Sequence, residues 1–359
     1  MGVPVTFSGV EQRILRRLFS PEEARAALAL THRFESMDTI SERAITAGMA
    51  PGEIPGVIQG MVKKGTVFAR GEGADRRYSL VPYVVGMYEF QLKDLTAGLY
   101  DDTVSFMKQG FAADYLTTAV PQMRVIPVNR SVTAQMSIAT YDEIRALIEQ
   151  AGERISVAAC ICKKAQDIKG EPCAATEMRE LCIALRDYSD TYRRQGWGKP
   201  LSSAEALTLL DKAERQGLVL QTSNEQVPQF VCACCGCCCG ILGMVKFFPR
   251  PADFVAGNYC ARLEAESCTG CGLCAKRCPM EAVIVREKKA TLKAERCIGC
   301  GVCVAACKPG ALRLERKEKV TVPPRNTDEL YDVILKGKKS RVRRLFTVAR
   351  ALMGFRIRD

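Results

Sequence analysis

Cys268, Cys271, Cys274 and Cys278 stand in a C-x2-C-x2-C-x3-C run closed by Pro279, and Cys297, Cys300, Cys303 and Cys307 repeat the spacing 29 residues later. Three thiolates two residues apart can wrap one iron–sulfur cubane, while the fourth of each run is carried off toward the other cubane. Gly270, Gly272, Gly299 and Gly301 suit loops that turn tightly around sulfide and aim backbone N–H groups at it. Structural zinc sites take four thiolates in separated pairs. Overlapping, duplicated triplets fit cubanes better, so the spacing predicts two 4Fe-4S clusters.

Eleven further cysteines lie outside these runs: Cys160, Cys162, Cys173, Cys182, Cys232, Cys234, Cys235, Cys237, Cys238, Cys239 and Cys260. Soft thiolates at close range favour zinc, Cu(I) or iron–sulfur clusters, and neighbouring free thiols would be an oxidation liability. The first ten are expected to hold a further iron–sulfur cluster. Zinc, or thiols that are redox-active or merely structural, are the alternatives.

The rest of the composition is ordinary: 359 residues, 47 % hydrophobic and 26 % charged. The 19 Cys contrast with a single His. With His32 alone, three-His zinc, HExxH and two-His iron sites cannot be built from this chain, and no convincing acid/base or nucleophile set remains. His32 itself reads as a surface or core residue of a charged helical stretch. The Gly-Lys pair at Gly337 lacks a P-loop's upstream glycine, and Gly71 and Gly73 lack the third glycine of a dinucleotide fingerprint. No run of 18 apolar residues predicts a membrane span, and Arg16-Arg17 is not followed by an apolar export region. The expected location is cytoplasmic, where regularly spaced cysteines ligate metals sooner than they form disulfides.

The elements that must position these cysteines read as an α+β chain. Residues 1–90 carry helical spacing at Ile14, Leu15, Leu18 and Phe19 and again after Pro21. Short helices follow at Thr39–Ala47 and Pro55–Lys64, then a β-hairpin turning at 71–75. Residues 91–257 read as a mixed segment: a helix Tyr141–Gln150, a strand Ile155–Cys162, a helix Thr176–Tyr188 carrying Cys182, a helix Ala204–Gln216 opened by a capping box at Ser202, and a strand Leu218–Thr222 leading toward Cys232. Residues 258–314 hold the two runs, and 315–359 form a basic, partly helical tail. Net charge is +1 over 1–90, −2 over 91–240, +5 over 241–312 and +8 over 313–359.

The two runs resemble the bacterial two-cluster 4Fe-4S ferredoxin family over residues 258–314. The resemblance implies that Cys268, Cys271, Cys274 and Cys307 hold one cluster, and Cys297, Cys300, Cys303 and Cys278 the other. The second run departs in placing Pro309 one residue later than Pro279 stands in the first. Cys234-Cys235-Gly236 and Cys238-Cys239-Gly240 resemble, with different spacing, the CCG motifs of heterodisulfide reductase subunits, which hold non-cubane clusters. Residues 1–90 resemble a winged helix, and the whole layout resembles ferredoxin-type proteins of anaerobic bacteria.

These readings lead to an iron–sulfur electron-transfer protein, a redox subunit or adaptor with two 4Fe-4S clusters and a third. Its basic end would favour a redox partner with an acidic docking surface. One alternative is a redox enzyme whose substrate meets the Cys160/Cys232 constellation. Another is a redox sensor that binds DNA through the winged helix, but +1 is little charge for phosphates, and Gln59, Lys63 and Lys64 are few side chains for the purpose. The cations and apolar residues between Lys336 and Phe355 suit an amphipathic helix. It could lie on an anionic membrane, dock an acidic partner or stay solvated.

Overall fold

The spacing of Ile14, Leu15 and Leu18 is realised in the helix Val10–Leu18, which buries Val10, Ile14 and Leu18. The computed structural model describes residues 4–357 other than 134, 135 and 137, with helix and sheet mixed at 45 % and 16 %. Ser20 starts the next helix, Pro21–Leu28, through a capping box with Glu23. Helices Met37–Thr46 and Ile54–Lys64 and a hairpin of β1 (Val67–Arg70) and β2 (Arg77–Leu80) complete the segment. His32 differs from its expected helical setting. It lies in the connection after Leu28, where its Nε2 meets Asp332 Oδ1 at 2.9 Å. The bridge between Glu35 and Tyr78 of β2 draws that stretch into extended backbone.

The central layer is a six-stranded sheet of β3 (Met123–Ile126), β4 (Ile155–Ala159), β5 (Glu180–Leu185), β6 (Lys199–Pro200), β7 (Val219–Ser223) and β8 (Phe230–Cys234). Its order is β3-β7-β8-β5-β4-β6, and every neighbouring pair is antiparallel. Two expectations are corrected here. Cys182 lies on β5 rather than on a helix, and Cys162 lies on the helix Ile161–Ile168 rather than on the strand before it. The helix-forming residues around Cys182 yield to burial, because Leu181, Ile183, Ala184 and Leu185 sit at 1 % exposure or less between β4 and β8.

The C-terminal cysteine runs sit between β9 (Tyr259–Leu263) and its antiparallel partner β12 (Leu312–Arg316), around a hairpin of β10 (Val283–Arg286) and β11 (Lys289–Leu292). Two short helices, Leu273–Arg277 and Val302–Ala306, follow the first cysteines of each run. Among the described residues, buried side chains form three clusters: one at 26–78, a large one under the six-stranded sheet, and a small one among the cysteine runs. The tail folds into helices Thr327–Lys336 and Arg341–Leu352. Among the described residues no helix is long and apolar enough to cross a membrane.

Glu225 ties the sheet to the tail, accepting hydrogen bonds from Ser223 Oγ at 2.6 Å and Thr327 Oγ1 at 2.8 Å. Burial raises its carboxyl to about 7 against these bonds and the nearby Arg186. The unfolded carboxyl ionises near the ordinary 4.5. The native state therefore binds the extra proton between those values, and stability falls as pH rises through that window. Glu225→Gln is expected to gain melting temperature relative to the parent from pH 5 to pH 8. Thermal scans across that range check it, and a constant difference would refute it.

Candidate metal centres

Each ferredoxin-type loop depends on glycines with left-handed backbones: φ is 68° at Gly270 and 72° at Gly299. A Cβ on Gly270 would meet the Lys288 carbonyl oxygen at 2.2 Å, and one on Gly299 the Tyr259 carbonyl oxygen at 2.1 Å. Only glycine lets these loops close against the strands. The sulfurs collect backbone donors: Gly270 N–H to Cys268 Sγ at 3.4 Å, Ala282 N–H to Cys278 Sγ at 3.2 Å and Ala261 N–H to Cys297 Sγ at 3.3 Å. Such donors stabilise anionic sulfur, as cluster ligation requires.

The fields on the thiols cross between the runs. Burial raises Cys300 and Cys303, and Cys278 and Cys297 add to the effect at both. Burial likewise raises Cys274, with Cys307 and Cys268 contributing. Cys278 of the first run therefore acts on thiols of the second, as Cys274 does on Cys303, and Cys307 of the second run acts on Cys274 of the first. The two groups differ in exposure. Of the first three cysteines of each run, Cys297, Cys300 and Cys303 are all buried, whereas Cys268 is half-buried, Cys271 exposed and only Cys274 buried; Cys278 and Cys307 are both half-buried. Cys260, on β9 opposite Glu315, lies near Cys297.

Residues 267–312 match the family model described as a 4Fe-4S dicluster domain. The chain is an iron–sulfur protein. The match covers the ferredoxin-type region near its C-terminal end, and neither the curated proteins nor the solved structures gave a match. The residues present fit the group, in their glycine cradles and in their donors to sulfur.

The second cysteine constellation of this iron–sulfur protein is assembled by sheet topology. β4 and β8 both run antiparallel to β5 between them, so they leave the sheet on the same side. β4 ends at Ala159, and Cys160 follows as the N-cap of the helix Ile161–Ile168. β8 runs out through Cys234 into the 235–239 loop, whose Cys239 caps the helix Gly240–Lys246. Cys182 faces Cys232 across β5 and β8, and Cys173 comes from the connection before β5.

The ten cysteines separate into two groups. In an inner one, Cys162 and Cys234 act on the Cys160 thiol, and Cys232 and Cys239 act on Cys234. Cys232 in turn meets Cys182, whose Sγ is 3.7 Å from the Tyr192 hydroxyl. Cys162 lowers Cys160, and Cys232 and Cys239 lower Cys234; in turn Cys160 raises Cys162, Cys234 raises Cys239, and Cys182 first and then Cys234 raise Cys232. Sulfurs this close cannot all ionise unless cations sit between them. The outer group is Cys173, Cys235, Cys237 and Cys238, whose Sγ atoms all lie within 4.8 Å of one another.

Three functional features escaped the sequence reading. Lys163 is 1 % exposed, and its Nζ donates to Cys235 Sγ at 3.4 Å. Burial alone would lower its pKa, but the neighbouring Cys160, Cys235, Cys234 and Cys173 side chains raise it overall. Its position three residues after Cys160 was the available signal, and the adjacent Lys164 hid it. The buried Tyr88 hydroxyl has no hydrogen-bond partner among the described residues, and burial first and then Cys162 disfavour its ionisation. A cluster sulfur at the inner group would supply the acceptor that a buried donor needs. Gly236 packs against Pro279, where a Cβ would stand 3.2 Å from the Pro279 carbonyl oxygen. The cysteine-rich loop therefore touches the ferredoxin-type region directly after Cys278.

Proposed function

We propose that this iron–sulfur protein transfers electrons as a redox subunit or adaptor of a larger system. Cys268, Cys271, Cys274 and Cys307 hold one 4Fe-4S cluster, Cys297, Cys300, Cys303 and Cys278 a second, and the inner group around Cys160, Cys162, Cys234 and Cys239 a further iron–sulfur cluster. Such clusters supply one-electron transfer. The observation that carries this reading is the unequal exposure of the two ferredoxin-type groups. The group containing Cys278 is largely buried and abuts the second cysteine constellation through Pro279 and Gly236. The other opens to solvent at Cys271 beside the exposed Leu273. That arrangement gives the protein an inner and an outer end.

The chain's own groups support each end. Backbone N–H donors to Cys268, Cys278 and Cys297 stabilise negative sulfur, and burial of Cys300 and Cys303 excludes water. Lys276, Lys288 and Lys308 are exposed around the open group and suit a partner with an acidic surface. Residues 1–90, as a winged-helix-like module, serve protein docking better than DNA reading. Lys64 of its helix Ile54–Lys64 is held by Glu23 at 2.6 Å, and the segment has little net charge. The tail helix Arg341–Leu352 is anchored by Arg344 on Asp114 and exposes Val342, Leu345 and Phe346, a face for the partner or an anionic membrane.

Iron and acid-labile sulfide analysis of the full chain, prepared without air, is the test. The two ferredoxin-type groups alone require about 8 of each per chain, and the inner group adds to that. Cys234→Ser with Cys239→Ser should lower iron while leaving the reduced ferredoxin-type signals in low-temperature EPR. Unchanged iron would remove the third cluster, and a colourless, iron-free chain after reconstitution would remove the whole reading.

A further inference from the structure

The outer cysteine group is built for a different guest from the rest. The Sγ separations are 3.6 Å for Cys173–Cys235, 3.7 Å for Cys173–Cys237 and 3.6 Å for Cys237–Cys238. A single zinc ion holding four thiolates at about 2.3 Å in a tetrahedron sets its sulfurs about 3.8 Å apart. A cubane binds each thiolate through a different iron, so its four sulfurs lie farther apart than one ion can span. The same chain provides the contrast. Among the described residues, the ferredoxin-type cysteines form no group whose sulfurs all come this close, and Cys173, Cys235, Cys237 and Cys238 do.

We propose that Cys173, Cys235, Cys237 and Cys238 bind one Zn2+ ion in a closed, structural, all-thiolate site, separate from the iron–sulfur centres. Binding replaces the four thiol protons with the ion and releases them to water. Four thiolates around one divalent ion leave a net charge of −2, which counter-charge and solvent must offset. The fully buried Lys163, 3.4 Å from Cys235 Sγ, offsets one of these charges on the buried side, and the other side opens to solvent at the exposed Cys237. The backbone at Cys238 and at Ala175 acts to favour the ionised Cys235 and Cys237 thiols, the kind of outer support that ligating thiolates receive. All four positions are filled by protein, leaving none for substrate, so the ion pins rather than reacts. It would clamp the connection carrying Cys173 onto the 235–239 loop, and so hold Gly236 against Pro279.

This inference does not depend on the third cluster, and one experiment separates the two. Full-length protein produced with both iron and zinc supplied, and purified without air, is analysed for both metals. The parent is expected to carry one zinc per chain. Cys173→Ser and Cys237→Ser should bring zinc close to zero with iron unchanged. Loss of iron in place of zinc, or a parent without zinc, overturns the assignment and leaves the iron count to judge the clusters. Because either variant could fail to fold, zinc-edge X-ray absorption on the parent provides a second readout. Four sulfur neighbours at about 2.3 Å are expected, and nitrogen or oxygen in the first shell would refute the site.

Discussion

Cys278→Ala is expected to lose the cluster of the second cysteine run, not of the run in which Cys278 stands. The thiol belongs by sequence to Cys268, Cys271 and Cys274, yet it raises Cys300 and Cys303. Removing it leaves Cys297, Cys300 and Cys303 with three thiolates for four irons. Iron should fall by about four atoms per chain, and the EPR signal that survives should be that of the solvent-open group. Cys307→Ala should do the converse, sparing the buried group. Loss of the open group's signal in Cys278→Ala, with the buried one retained, would show that each run ligates its own cluster. The contrast between the two variants is informative because both positions close a short helix, after Arg277 and after Ala306. A purely structural effect would therefore not select opposite clusters.

The second large effect is expected away from any sulfur. Arg124 on β3 and Asp142 form an ion pair, each side chain 2 % exposed. Asn258 joins them, donating from Nδ2 to Asp142 Oδ2 at 2.8 Å, while its Oδ1 accepts from Thr321 N–H at 2.9 Å. This network fastens the start of the ferredoxin-type region to the edge of the central sheet, where Val125 N–H also bonds the Ala256 carbonyl at 2.9 Å. Removing one partner of a buried pair strands the other charge, at a cost of about 3–5 kcal/mol. Asp142→Ala should therefore lower the denaturant midpoint strongly. Asp142→Ala with Arg124→Met should recover much of the loss, since no lone cation then remains buried. Chemical denaturation of the anaerobic protein measures both, and equal stability of the single variant and the parent would show that the pair holds nothing.

Much of the local structure was legible because it depends on neighbours in sequence. The capping box at Ser202, the helix ending at Lys64 and the hairpin turning at 71–75 all formed near their expected places. These signals act over a few residues and need no distant partner. The reading failed where burial outweighed propensity. Cys182 sits among residues that favour helix, but its segment is the strand between β4 and β8. His32 likewise follows a helical stretch and leaves it to meet Asp332, some 300 residues on.

The sequence by itself determined the duplicated thiolate runs and the glycines that let their loops close, because spacing along the chain fixes how three neighbouring sulfurs can surround one inorganic core. It determined as well that ten more cysteines needed an explanation. Only the tertiary structure decided how those ten divide. β4 and β8 flank β5 and leave the sheet on one side, bringing Cys160 and Cys162 to Cys234 and Cys239, while Cys173 drops onto the 235–239 loop with Lys163 buried between the groups. Residues separated by some 70 positions meet there through strand order, and strand order is set by what the whole sheet buries.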